Sequence, residues 1–153
     1  MTALGERLAG DLRAGDLLVL SGPLGAGKTT FTRGLGVGLD VRGAVTSPTF
    51  VLARTHPRVA GGPPLVHVDA YRLQSAMELD DLDIDFSGSV VVVEWGAGLL
   101  DGVAESWLEI GIERPTGGGD DPAADDDASL DPEEPRTVTL RGFGPRWSGT
   151  AYA

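Results

Sequence analysis

The chain has 153 residues, a hydrophobic content of 41%, no cysteine and a formal charge of -11: enough for one domain with its own core, and not for disulfides or cysteine-based metal or nucleophile chemistry. No window approaches a membrane span, and the start MTALGERLAG has neither the basic nor the apolar region of a secretory signal, so the expected location is the cytoplasm, with no membrane partner. The charge is local: residues 113–135 hold nine acids and one arginine, net -8, and the rest holds 14 acids against 11 bases, net -3, without the basic stripe that grips a nucleic-acid backbone.

Leu4, Leu8 and Leu12 recur at helical spacing with Glu6, Arg7, Asp11 and Arg13 polar between them, which predicts an amphipathic helix running to about Arg13. Ala14-Gly15-Asp16 then turns into an apolar strand over 17–20. A helix resumes from Thr30 and is expected to fade over 34–38, where three glycines weaken it. Residues 45–50 read as a polar loop around Pro48 that leads into a strand over 50–53, and residues 54–64 as a long turn rich in proline and glycine. A strand over 65–68 ends in Asp69, and Ser75 with Glu78 makes a capping box for a short helix running into the acidic stretch 80–85.

Residues 89–93 are the most strongly β-branched run and predict a central parallel strand, buried on both faces, that ends in Glu94-Trp95-Gly96. A short helical piece is expected over 97–104. Residues 107–112 and 137–140 are the last two strands, arranged like a hairpin. Between them, 115–135 is acidic and low in complexity, and is expected to be disordered, either as a solvated spacer or as a segment that competes for basic surfaces. This order predicts a single α/β domain over 1–153, three-layered with a mainly parallel sheet, and a site at the carboxyl ends of the strands.

The site announces itself after the first strand. Gly22-Pro23-Leu24-Gly25-Ala26-Gly27-Lys28-Thr29 fits the phosphate-loop pattern G-x-x-x-x-G-K-[ST] without mismatch, with a strand before it and a helix after it. Glycines let the loop turn its N–H groups toward phosphates, and the helix N-terminus adds its dipole. Lys28 would reach the β and γ phosphates, and the Thr29 hydroxyl would serve Mg2+. Lys28 is the only lysine among 12 basic residues, at the one position where a compact point charge is wanted.

Such a loop needs an acid at the tip of a neighbouring strand, and Asp69 and Glu94 both fit. Glu94 follows the more hydrophobic strand and is favoured for the metal or its water. Asp69 would stand one step behind the metal, or orient the attacking water. Either acid could instead cap the next helix or turn. His67, between apolar strand neighbours, reads as a histidine satisfied in the core or standing behind the site residues, and His56 as part of a flexible turn. Eleven residues apart and with no carboxylate at ligand spacing, the two do not make a zinc site.

Taken together and in order, GPLGAGKTTFTRGLG, Thr46-Ser47-Pro48-Thr49-Phe50, His67-Val68-Asp69-Ala70-Tyr71-Arg72-Leu73 and Val93-Glu94-Trp95-Gly96 resemble the motif set of the TsaE family, small bacterial ATPases of tRNA threonylcarbamoyladenosine (t6A) synthesis. The resemblance runs from Leu4 to about Ile112 and resumes at Arg136. It implies a Mg2+-dependent ATPase that docks on the partner proteins TsaB and TsaD, the latter transferring threonylcarbamoyl to adenosine 37 of ANN-reading tRNAs. Hydrolysis would support turnover of that assembly and not formation of the threonylcarbamoyl-adenylate, and the tRNA would be met only through the complex. By position, the resemblance implies that Gly25, Ala26, Gly27, Lys28, Thr29 and Thr30 bind the phosphates and that Thr29 and Glu94 ligate Mg2+. Thr49, Asp69 and Trp95 then belong to loops around the γ-phosphate, and Arg136, opening the last strand, lies near the nucleotide. Pro23 stands where an acid is common in the family, which removes one loop N–H and one charge. The family also carries residues, a strand among them, ahead of its first helix. For this chain the expectation is a start codon further upstream or an absent edge strand.

Two other functions share the loop. A small-molecule or nucleotide kinase would need an acceptor pocket and a lid rich in arginine, and Arg54, Arg58 and Arg72 are scattered. A nucleotide-gated scaffold would use ATP to order the loops at 46–50 and 69–73 for docking without hydrolysis.

Overall fold

The computed structural model describes residues 1–23, 26–43, 45, 53–70, 78, 82–94, 104–113 and 137–152. The chain order is α1 (Thr2–Ala9), β1 (Leu17–Ser21), α2 (Lys28–Leu39), β2 (Ala53–His56), β3 (Leu65–Asp69), β4 (Val90–Glu94), β5 (Trp107–Glu113) and β6 (Thr137–Phe143). Six strands form one sheet in the order β2-β3-β4-β1-β5-β6. The inner four are parallel, and the edge strands β2 and β6 pair antiparallel with β3 and β5. The α/β fold with a mainly parallel sheet expected from the sequence is the fold observed.

Period-two alternation divides the core between the two faces of the sheet. Leu18, Leu20, Val90, Val92, Leu108 and Ile110 point toward α1 and α2, where they meet Leu8, Phe31 and Leu35. Leu17, Val19, Val66, Val68, Val91 and Val93 point the other way and are covered by Leu82, Ile84, Phe86, Ala104 and Trp107. All five residues of β4 are buried, as the β-branched run predicts, and each fully buried valine contributes about 2 kcal/mol.

Four sequence expectations are corrected. Helix α1 stops at Ala9 and the chain continues in turns, with Gly10 N–H donating to Arg7 O at 3.2 Å and Asp11 N–H to Leu8 O at 2.9 Å. Helix α2 does not fade at its glycines but runs through Gly34, Gly36 and Gly38 to Leu39. Tertiary packing overrides propensity there: a Cβ on Gly38 would lie 2.5 Å from Ala9 Cβ and 2.7 Å from Glu6 O, and one on Gly34 would overlap Thr2 O, so the bare backbone is what lets α1 and α2 touch. The stretch taken as a turn over 54–64 begins with a strand, because Ala53–His56 pairs residue for residue with Leu65–Val68 and only what lies between them turns. Finally, β6 extends past residue 140 to Phe143, opposite the full length of β5.

Glu78, exposed and helical, is the one described residue of the expected capping-box stretch. Ser75, most of the loop over 45–50 and of the strand over 50–53, the helical piece up to residue 103 and the acidic insert over 115–135 lie outside the described residues. No helix of the described structure is long and apolar enough to cross a membrane.

After β6 the chain folds back on the opposite end of the molecule. Trp147 is buried in the helix-side core, Arg146 Nε donates to Asp16 Oδ1 at 2.8 Å and its Nη2 to Asp11 O at 2.7 Å, and the Arg146 guanidinium lies 4.2 Å from the Trp147 ring centre. Asp16 also accepts the backbone N–H of Arg13 at 2.8 Å.

Candidate functional site

Strand β1 is the switch point of the sheet, with β4 on one side and β5 on the other. A crevice at the carboxyl end of such a strand is where open α/β sheets bind ligands. The phosphate loop leaves β1 at that point and enters α2 through Gly27, whose φ of 109° and ψ of 19° put it in the left-handed region that a side chain would strain. The Ala26 N–H donates to Pro23 O at 3.1 Å to close the turn, and the Phe31 N–H donates to Gly27 O at 2.8 Å to start the helix. No side chain caps this helix end, which suits a terminus that takes an anion.

Lys28 is the first residue of α2 and is buried. Its ammonium folds over the loop and donates to Gly22 O at 2.7 Å and Pro23 O at 3.0 Å. The lysine therefore sits inside the curve of the loop, with its charge where the phosphate pattern requires one. Thr29 and Thr30 follow in the first helical turn, both half-buried, and Thr32 Oγ1 donates to Lys28 O at 2.9 Å.

The two strand-tip acids come together. In the parallel register Asp69 is opposite Glu94, and Glu94 is opposite Leu20, one residue before β1 ends. Adjacent strands are about 4.8 Å apart, so both carboxylates stand on the edge from which the loop springs, on the α2 face. Asp69 is half-buried. Glu94 is 4% exposed and its Oε1 has no hydrogen-bond partner. A buried carboxylate costs several kcal/mol unless its two oxygens are met by a donor or a cation, so Glu94 fits a hard, oxygen-seeking ion. Among the described residues no three His, Asp or Glu side chains converge, and a cation at Glu94 would draw its other ligands from Thr29, phosphate oxygens and water, as Mg2+ does.

Of the site residues expected from sequence, Ala26, Gly27, Lys28, Thr29, Thr30, Asp69 and Glu94 are thus brought to one edge, while Gly25, Thr49, Trp95 and Arg136 lie outside the described residues. Thr137, which follows Arg136, pairs with Glu113 at the carboxyl end of β5. His56 is not in a flexible turn, as expected, but is the last residue of β2 and 8% exposed. Burial, then the neighbouring His67 and Arg54, lowers its pKa below the ordinary 6.5. His67 is fully buried, with Nε2 3.5 Å from Glu94 Oε1. Its neighbourhood was legible only by counting alternate residues along β3 and matching them to β4.

Residues 1–119 match the family model described as Threonylcarbamoyl adenosine biosynthesis protein TsaE. The chain is 56% identical, over 97% of its length and 94% of the relative's, to the tRNA threonylcarbamoyladenosine biosynthesis protein TsaE of Streptomyces coelicolor. It is 39% identical to the protein of that name from Bacillus subtilis, over 78% of this chain and 73% of the relative. Among solved structures, the crystal structure of Bacillus subtilis YdiB superposes with a TM-score of 0.59 at 35% identity, covering 78% of this chain and 72% of that one. With the phosphate loop on β1, the paired acids on β3 and β4 and this match over most of its length, the chain belongs to the TsaE family.

Proposed function

We propose that this protein is a Mg2+-dependent ATPase that supports t6A formation at adenosine 37 of tRNA together with TsaB and TsaD. The observation that carries the reading is the placement of Glu94, a carboxylate buried to 4% exposure, beside the strand that feeds a lysine-bearing phosphate loop. The names of its relatives support the pathway.

In the proposed reaction the loop backbone from Gly25 to Gly27 and the N-terminus of α2 hold the phosphates, with Thr30 at the helix start. Lys28 exchanges its two loop carbonyls for β/γ oxygens and offsets the charge that develops during transfer. Thr29 and Glu94 would hold Mg2+, which neutralises charge on the β and γ oxygens when bound. Asp69, beside Glu94 on the same edge, positions the attacking water. Thr49, Trp95 and Arg136 are assigned to the nucleotide's surroundings by resemblance. A fold whose charge outside residues 113–135 is only -3 suits a subunit that drives an assembly while another subunit holds the RNA.

The test is steady-state ATP hydrolysis by the purified chain, alone and with TsaB and TsaD. Slow turnover alone and a rate raised at least about 10-fold by the partners is the expected outcome, a difference of about 1.4 kcal/mol in barrier. A rate unchanged by the partners would contradict the reading, and phosphoryl transfer to an added nucleoside or sugar would replace it with a kinase.

A further inference from the structure

Five buried side-chain atoms among the described residues lack a hydrogen-bond partner, and three of them are His67 Nδ1, His67 Nε2 and Glu94 Oε1. Unsatisfied polar burial is therefore concentrated in one pair of side chains at the carboxyl edge of the sheet. The pairing follows from the register: His67 is opposite Val92 and Asp69 is opposite Glu94, so 67, 69, 92 and 94 share one face and His67 is the diagonal neighbour of Glu94. Their closest atoms, Nε2 and Oε1, are 3.5 Å apart, about 0.5 Å more than an N–H···O bond needs. An imidazole at 0% exposure costs more than a valine in the same strand position unless a partner meets it, and among the described residues the partner within reach is this carboxylate.

We propose that His67 is a positioning residue for Glu94: its Nε2–H donates to Oε1, fixes the carboxylate's rotamer and leaves the second oxygen to the cation. The inference rests on the reading of Glu94 as the metal's acid, and extends it to a residue that touches neither nucleotide nor metal. Partners that orient metal-bound carboxylates in this way change metal affinity by about 10- to 100-fold when removed.

Two measurements on the full chain test it. In protein free of nucleotide and Mg2+, long-range 1H–15N NMR reports which imidazole nitrogen carries the proton and needs no substitution of His67. A proton on Nε2 whose resonance shifts in Glu94→Gln is expected, and a proton on Nδ1 alone would overturn the proposal. Binding of a fluorescent ATP analogue is then titrated with Mg2+. His67→Phe should raise the Mg2+ concentration needed by about 10-fold with affinity for the metal-free nucleotide unchanged, and His67→Gln, whose amide reaches the Nε2 position, should restore the wild-type value. A folded His67→Phe protein with wild-type Mg2+ dependence would overturn the proposal. Nucleotide binding by the wild type that ignores Mg2+ would instead remove the metal reading of Glu94, and the NMR result would then decide alone whether His67 holds that carboxylate.

Discussion

Tyr152 donates its hydroxyl to Asp11 Oδ2 at 2.6 Å. That bond, then burial and the Asp11 charge, pushes the phenol from its ordinary 10.0 up to about 12. The folded state keeps a proton that the unfolded chain has already released, so this contribution is whole below pH 10 and is lost as the pH rises toward 12. Tyr152→Phe is expected to cost about 1 kcal/mol at neutral pH and to flatten the alkaline decline in urea midpoint. An equally steep decline in the variant would show that the phenol is not its source. At this scale the sequence exposes some residues and hides others for one reason. Lys28 and Thr29 are fixed by a local pattern, and Glu94 by its place at the end of a strand. The position of His67 against Glu94 depends on how two strands align, which no stretch of either strand states.

At the scale of elements, the contact between α1 and α2 turns on glycines that propensity reads as helix breakers. Gly5 packs against the backbone of Phe31 and Leu35, and Gly38 against Glu6 and Ala9, so the helix that presents Lys28 is braced along its length. Replacing an exposed helical glycine with alanine gains about 1 kcal/mol. Here the sign reverses: Gly38→Ala should destabilise by about 1–3 kcal/mol, read as a lower urea midpoint with an unchanged slope, and stabilisation would show that the helices do not touch there. Strand β2 is the matching error in the other direction. Arg54 and Thr55 are exposed, as suits an edge, and without a hydrophobic run the segment looked like turn. The buried parallel strands were legible because both of their faces must be apolar.

At the scale of the whole molecule, the order of strands brings Lys28, Asp69 and Glu94 to one edge from separate parts of the chain, and alternation of apolar runs with a phosphate-loop helix was enough to expect it. The closing segment was not legible. The Arg146 contacts to Asp16 span 130 residues, and a short polar tail with one tryptophan carries no periodicity that would announce a buried end. The central claim is that Glu94 serves the metal of an ATP-hydrolysing site. It is tested most directly by hydrolysis and nucleotide binding of Glu94→Gln, which keeps the side chain's volume and removes its charge. The predicted result is a loss of hydrolysis of about 100-fold, with nucleotide still bound. A folded Glu94→Gln protein that hydrolyses ATP at the wild-type rate would contradict it.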